Sequence, residues 1–402
     1  MTMRLSDRFA DMIERMFTTA PIPLQIRLWN GRRLNLSPAP TVTIIVPKAS
    51  ALRFFFPPDL KNLGEAFVDG HIRVEGSIHE LFQVAERLAS SVASATRVGI
   101  QRLSRHSRIL DRKAIQYHYD VSNDFYAQFL DRNMVYSCAY FRNESDSLET
   151  AQTQKLDHIL NKLMLKPGEQ FLDIGCGWGS LILRAAKKYG AMATGITLSQ
   201  NQFDYVQDRI RAEGLESRCK VELRDYRDLP VSNTFDKIAS VGMFEHVGLS
   251  NLSTYFGKIE SLLKDHGLVL NHGITSSDTQ SREIGLGAGE FIERYVFPGG
   301  ELPHLALATR EMSASGLEVR DVESLRQHYA RTCRLWADRL EENRSRAISL
   351  AGERRFRIWE IYLAGCAYGF ANGWINIYQL LACKAKNVTA QPLPLTREYI
   401  YR

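Results

Sequence analysis

No stretch of this 402-residue chain stays uncharged and apolar for the ~20 residues that crossing a bilayer demands. Cysteine is scarce and scattered. Cys138, Cys176, Cys219, Cys333, Cys366 and Cys383 form no CxxC pair and no cluster with histidine, which argues against a disulfide framework and a zinc site, and no metal is expected. A reducing cytoplasm is therefore the expected setting. A strong excess of one charge is also lacking: 51 Lys and Arg stand against 45 Asp and Glu, a net +6, too little for a dedicated nucleic-acid binder. Gly (27) and Pro (13) are at ordinary levels and no internal repeat is found, which excludes collagen-like, low-complexity and solenoid classes. The N-terminus is interrupted by Arg4, Asp7, Arg8, Asp11, Glu14 and Arg15, so it holds no core for a secretory signal and reads as an amphipathic helix. What is present, 45% hydrophobic and 24% charged residues at a mean hydropathy of -0.23, describes a soluble globular chain of two or three domains.

Periodicity divides the chain. From Leu24 to about Gly76 short alternating runs predict strands, with Asn30-Gly31 as a hairpin turn, and helices are expected near Leu63–Gly70 and Ile78–Leu88. This first domain, residues 1–96, is expected to be α+β and resembles the end of a sterol-carrier-like lipid-binding module. Residues 97–113 carry six Lys or Arg against Asp111 alone, with apolar residues between them. That linker reads either as a solvated helix or as a surface for anionic lipid. From about Leu165 to Val322 strands and helices alternate, the pattern of a parallel sheet covered on both faces. From Arg331 to about Ala382 the expectation is helix.

Within that alternation, Leu172-Asp173-Ile174-Gly175-Cys176-Gly177-Trp178-Gly179 is a strand that ends in three glycines before a helix. Side chains at Gly175, Gly177 or Gly179 would hold a nucleotide-like ligand away from the backbone. Cys176 reads as a small packing residue. The D-x-G-x-G-x-G spacing resembles the first motif of class I S-adenosylmethionine-dependent methyltransferases, which implies a Rossmann-like α/β fold and that cofactor. Such folds often place a ribose-binding acid after the second strand, where this chain has Thr197-Leu198-Ser199-Gln200-Asn201-Gln202 and no acid. Thr197, Leu198 and Gln202 are the groups left to meet the ligand, with Ser199 as a helix cap. After the third strand, Asp225 is placed to meet the adenine amino group and Tyr226 its face. Eight aromatics fall within residues 117–141, and aromatic faces stabilise a sulfonium or a carbocation when they are not simply core.

Together with Tyr117–Tyr126, Tyr136–Phe141, Gly242–Gly248, Phe291–Gly300 and His328–Thr332, these motifs make the sequence resemble the cyclopropane-fatty-acyl-phospholipid synthases, relatives of the mycolic acid cyclopropane synthases. The resemblance is strong from about Ala114 to Leu381 and implies that residues 114–402 form the catalytic domain. It also implies transfer of a methylene from S-adenosylmethionine to a cis double bond of a phospholipid acyl chain, with Tyr136 and Ser137 in the cofactor pocket. Making a methyl-branched chain, or carrying lipid without catalysis, are the alternatives. A bound bicarbonate is the implied proton acceptor, held by Cys138, Glu245, His272, Ile274 and Tyr329, with Cys138 and Ile274 giving backbone groups. Singly, Glu245 reads equally as a helix cap, His272 as a core histidine and Tyr329 as a packed ring. Cys366 matches a cysteine taken as a nucleophile in this family, although its helix face among Trp359, Tyr362 and Phe370 favours packing, and His246 competes as a base. Phe291, Ile292, Tyr295, Val296, Phe297 and Leu302 are candidates for an acyl channel. Expected partners are an unsaturated phospholipid and the anionic inner face of the membrane, to which the protein would bind peripherally; a homodimer stays open. Nucleic acid is not among them, because no Asn/Asp-Pro-Pro-aromatic motif follows the fourth strand.

Overall fold

The structure is a computed structural model that describes residues 5–17, 22–56, 59–92, 122–231, 233–282, 287–384 and 393–401. The basic linker at 97–113 and the start of the aromatic motif, Tyr117–Val121, lie outside the described residues.

Alternation builds the first sheet. In β1 (Leu24–Leu28) Leu24, Ile26 and Leu28 are buried and the residues between them are not. Asn30-Gly31, with Gly31 at φ +83, turns the chain into β2 (Arg33–Asn35), antiparallel to β1. β3 (Val42–Val46) lies parallel to β1, and β4 (Arg73–Glu75) closes the order β2-β1-β3-β4. The helices Leu5–Phe17, Leu60–Val68 and Ile78–Val92 accompany this sheet. Its core continues without a break into the larger unit through Phe291, Tyr295, Ile358 and Ile361. Gly64 makes that junction possible, since a Cβ there would lie 2.9 Å from the Phe291 ring.

The strands of the second sheet are β5 (Gln170–Ile174), β6 (Met192–Thr197), β7 (Cys219–Leu223), β8 (Phe235–Val241), β9 (Leu263–Ser276), β10 (Leu317–Ser324) and β11 (Ile375–Lys384). Their order is β10-β11-β9-β8-β5-β6-β7. β5 to β9 run parallel, as the alternating sequence predicts. The prediction of helix up to Ala382 fails at its end. The helices Arg326–Glu342, Arg344–Ala351 and Glu353–Ala371 form, and then Gly373 (φ +72) turns the chain into β11, antiparallel to both β9 and β10. The cause is burial on both faces: residues 379–384 are all buried, so no polar-apolar alternation marks them as a strand.

Strand order reverses between β5 and β8, and in such sheets the carboxyl ends of the strands around the reversal open a crevice for ligands. Among the described residues no helix is long and apolar enough to cross a membrane.

Candidate active site

The glycine turn lies at the carboxyl end of β5. Gly175, Gly177 and Gly179 have φ of +78, +54 and +82, the left-handed region that side chains disfavour. They differ in what surrounds them. A Cβ at Gly175 would meet Met243 at 2.9 Å and one at Gly179 would meet Val206 at 2.8 Å, whereas nothing lies within 4 Å of one at Gly177. Gly177 therefore faces open space, a cavity of about 130 Å³ that is also lined by Tyr136, Ser137, Asp173, Thr197, Leu198, Gln202 and Tyr226. Cys176 packs as expected, its sulfur 2.8 Å from where a Cβ at Gly195 would stand.

Asp173 is buried at the base of this cavity and its Oδ1 has no hydrogen-bond partner, so burial raises its pKa to about 7. An unsatisfied buried carboxyl beside a glycine turn fits a ligand that brings a cationic or N–H donor group. At the rim, the Thr197 hydroxyl donates to Gln202 Oε1 (2.8 Å), which leaves the Gln202 amide nitrogen as the donor of that pair.

A second cavity of about 150 Å³ adjoins the first, and Tyr136, Ser137, Gly242 and His246 line both. Its walls are apolar over most of their extent, with Ile292, Phe297, Leu302, Ile375 and Ile377 among them. Glu245, His272 and Tyr329 are buried side chains with polar groups in its lining, as are Ser276 and Ser281. Glu245 Oε1 accepts from the Ile274 N–H (2.6 Å) while Oε2 is buried without a partner, and burial raises the pKa to about 7. His272 Nδ1 meets Gln379 Nε2 at 3.0 Å; its Nε2 is buried and unpartnered, and burial holds the ring well below its ordinary pKa. Burial likewise keeps Tyr329 protonated. Gly273 lets the Glu245–Ile274 contact form: a Cβ there would lie 1.9 Å from the Phe244 ring, so any side chain would push Phe244 and the adjoining Glu245 away from β9.

The profile of the mycolic acid cyclopropane synthetase family matches residues 106–380, and that of a domain of unknown function matches residues 9–97. A probable fatty acid methyltransferase of Pseudomonas putida is 46% identical over 95% of this chain and 97% of its own length. Cyclopropane mycolic acid synthase 1 of Mycobacterium tuberculosis is 39% identical over 67% of this chain and 96% of its own. The structure of mycolic acid cyclopropane synthase CmaA1 complexed with SAH and CTAB superposes with a TM-score of 0.65 at 36% identity, covering 71% of this chain and all of that one.

This chain belongs to the mycolic acid cyclopropane synthetase family. It is an S-adenosylmethionine-dependent methyltransferase of the cyclopropane and fatty acid methyltransferase kind, with the class I fold.

Within this family member most of the sequence-derived residues converge on the two cavities, and three assignments change. Asp225 does not line the cofactor cavity; its carboxylate caps the turn Tyr226–Asp228 and is held by Arg227 at 2.6 Å and 2.9 Å, while Tyr226 does line it. The Ile274 amide is occupied by Glu245 and is not free for an anion. Of the proposed channel residues, Ile292, Phe297 and Leu302 face the second cavity, but Phe291, Tyr295 and Val296 belong to the core shared with the first sheet. Cys366 does line the second cavity, with burial raising its thiol to about 12, so a thiolate is disfavoured. Cys138 is fully buried on the same wall, with its thiol raised further by burial. Phe125, Tyr126 and Phe129 of the aromatic stretch are core rather than cavity, and Tyr136 is the ring that faces both chambers.

Sequence reasoning missed the device that fixes the shared wall. From the helix Leu148–Lys162, Gln152 donates to Ser137 O (2.8 Å) and Lys155 to Ser137 Oγ (2.8 Å), both side chains being buried. Asp131 accepts from Asn133 N and Val135 N at the start of the same segment, where Met134 sits at φ +57. Burial lowers the Lys155 pKa to about 8, against the pull of Asp131, Cys138 and Asp173.

The two raised carboxyls give a signed expectation for the ligand-free protein. Below their ordinary values of 3.8 and 4.5, Asp173 and Glu245 are protonated folded or unfolded. As pH rises toward 7 the unfolded chain ionises first, so each group's contribution to stability is lost. Asp173→Asn and Glu245→Gln cannot ionise, and their unfolding free energies should therefore climb relative to wild type between about pH 5 and about pH 7.5, by up to ~1.4 kcal/mol per pH unit, with melting temperatures following. Calorimetry that finds a pH-independent offset would contradict the assignment.

Proposed function

We propose that the protein adds a methylene to the cis double bond of unsaturated phospholipid acyl chains, producing cyclopropane fatty acids. One observation carries the reading: a cavity at a glycine turn shares a wall with an apolar cavity whose lining includes Glu245 and His272, with Glu245 Oε2 and His272 Nε2 both buried and unpartnered. S-adenosylmethionine, when bound, supplies an electrophilic methyl on sulfur. The acyl π bond is the nucleophile: its pair forms a carbon–carbon bond to the methyl as the carbon–sulfur pair leaves with sulfur. The neighbouring carbon becomes cationic, a proton leaves the new methyl, and the freed pair closes the ring. No side chain has to attack, which agrees with the suppressed thiolates of Cys138 and Cys366. Tyr136 and Tyr329 present aromatic groups to this chamber, suited to a transient cation.

Glu245, His272 and Tyr329 would hold a bicarbonate, whose chemistry there is that of a base. Tyr329 and His272 would donate to its oxygens and Glu245 Oε2 would accept its hydroxyl; of these groups His272 Nε2 and Glu245 Oε2 are buried without a partner. The phospholipid is reached from a membrane surface, and the basic linker is the expected contact. Neutralising Arg102, Arg105 and Arg108 together is expected to reduce co-sedimentation with anionic vesicles, with the difference shrinking as salt rises. Unchanged sedimentation at low salt would reject that contact. The substrate class is tested by supplying purified protein with S-adenosylmethionine and either dioleoyl phospholipid vesicles or free oleate, then analysing the fatty acids; ring formation from oleate alone would overturn the phospholipid assignment.

A further inference from the structure

Gln379 has no role in any motif of the sequence, yet it is fully buried and stands directly across from His272 in the antiparallel pairing of β11 with β9. Cross-strand partners on one face bring their side chains together, and here the Gln379 amide nitrogen lies 3.0 Å from His272 Nδ1. In this amide orientation, which leaves Gln379 Oε1 buried without a partner, the nitrogen has only hydrogen to offer and Nδ1 accepts. A neutral imidazole that accepts at Nδ1 carries its proton on Nε2. That second nitrogen is the one that is buried without a partner, on a histidine that lines the same apolar cavity as Glu245.

We infer that Gln379 is a positioning residue that locks His272 in the Nε2–H tautomer, making His272 an obligatory hydrogen-bond donor to whatever anion sits against it in the cavity and disqualifying it as the base. Burial of the ring, which disfavours the imidazolium, agrees with a neutral tautomer. Division of labour follows. His272 and Tyr329 donate, and Glu245 Oε2 is the acceptor left among these three side chains. The inference rests on the proposed reading of the cavity for its purpose, although the tautomer can be measured without it.

The test is long-range proton–nitrogen correlation on full-length protein labelled with 15N-histidine, the His272 signals being assigned by their loss in His272→Gln. The expected spectrum shows Nε2 protonated and Nδ1 as the acceptor. Nδ1 protonated in the wild type would overturn the inference outright. A carboxylate at position 379 demands a proton on Nδ1, so Gln379→Glu should invert the tautomer and lower turnover by about 100-fold or more, the scale for losing one preorganised donor. Its affinity for S-adenosylhomocysteine should stay within about twofold of wild type, because Gln379 lies outside the cofactor cavity. An inverted tautomer with undiminished turnover would also overturn it. Should Gln379→Glu fail to fold, the wild-type spectrum still decides. Absence of any cyclopropane product would overturn the proposed function instead, and leaves the tautomer measurement intact.

Discussion

Glu245→Gln is expected to lower product formation by about 100-fold or more, within the range for removal of a positioned acid or base, and to leave S-adenosylhomocysteine binding within about twofold of wild type. Glutamine keeps the shape. Its carbonyl can still accept from the Ile274 N–H, so the turn Phe244–His246 stays against β9. The other end becomes an NH2, a donor where the cavity already has donors from His272 and Tyr329, and the acceptor is lost. Glu245 lines the apolar cavity and not the cofactor cavity, which separates the two readouts. Product formation measured by fatty-acid analysis and binding measured by calorimetry decide the matter. A parallel loss of cofactor affinity would show that Glu245 belongs to the other chamber.

The second large effect lies at Gly177, and it should have the opposite signature. Because no protein atom is within 4 Å of a Cβ at this position, Gly177→Leu meets nothing of the protein at its Cβ and sends its side chain toward the space a ligand would use. The backbone at φ +54 costs a non-glycine residue about 1 kcal/mol, well short of unfolding a domain of this size. Cofactor affinity should fall by at least about 100-fold, the equivalent of ~2.7 kcal/mol, while the melting temperature of the ligand-free protein drops by only a few degrees. Gly179→Leu is the control with the reverse cause. There the Cβ would collide with Val206, so stability is lost along with binding. If Gly177→Leu binds S-adenosylhomocysteine normally, the glycine turn does not cradle the cofactor.

Much of this architecture is legible in the sequence because its signals are local. The glycine spacing after β5, the alternation in β1 and β3 and the parallel order of β5 to β9 follow from periods and turn residues within short windows. β11 was hidden because burial on both faces erases its alternation, and Gln379 was hidden with it. Gln152, Lys155, His158 and Lys162 were hidden by a different mechanism. Their spacing along the helix Leu148–Lys162 places four polar residues on one face, which in most proteins is the solvated face. Here each is at most 2% exposed. Gln152 and Lys155 hold the wall between the cavities, while His158 and Lys162 bind Glu323 of β10, each at 2.6 Å. A buried polar stripe becomes visible only when its partners, distant in sequence, are in place.

Asp225 illustrates the same limit at a site. Its position after the third parallel strand is right for meeting a nucleotide, but Arg227, two residues on, binds the carboxylate in the structure. Spacing places a residue near a crevice, whereas the competing partners of its side chain decide whether it reaches in. The divided fate of Phe291 and Ile292 has a geometric origin: neighbours on one helix point to different faces, so the first packs against Gly64 and the second lines the apolar cavity.

The most direct test of the central claim uses S-adenosylmethionine carrying a fully deuterated methyl, incubated with the purified protein and vesicles of unsaturated phospholipid. Mass spectrometry of the released fatty acids should then show a ring carbon that has kept two of the three deuterium atoms, the third having been lost as the departing proton. Deuterated methyl groups found intact on an oxygen or nitrogen acceptor, with the double bond untouched, would contradict the account.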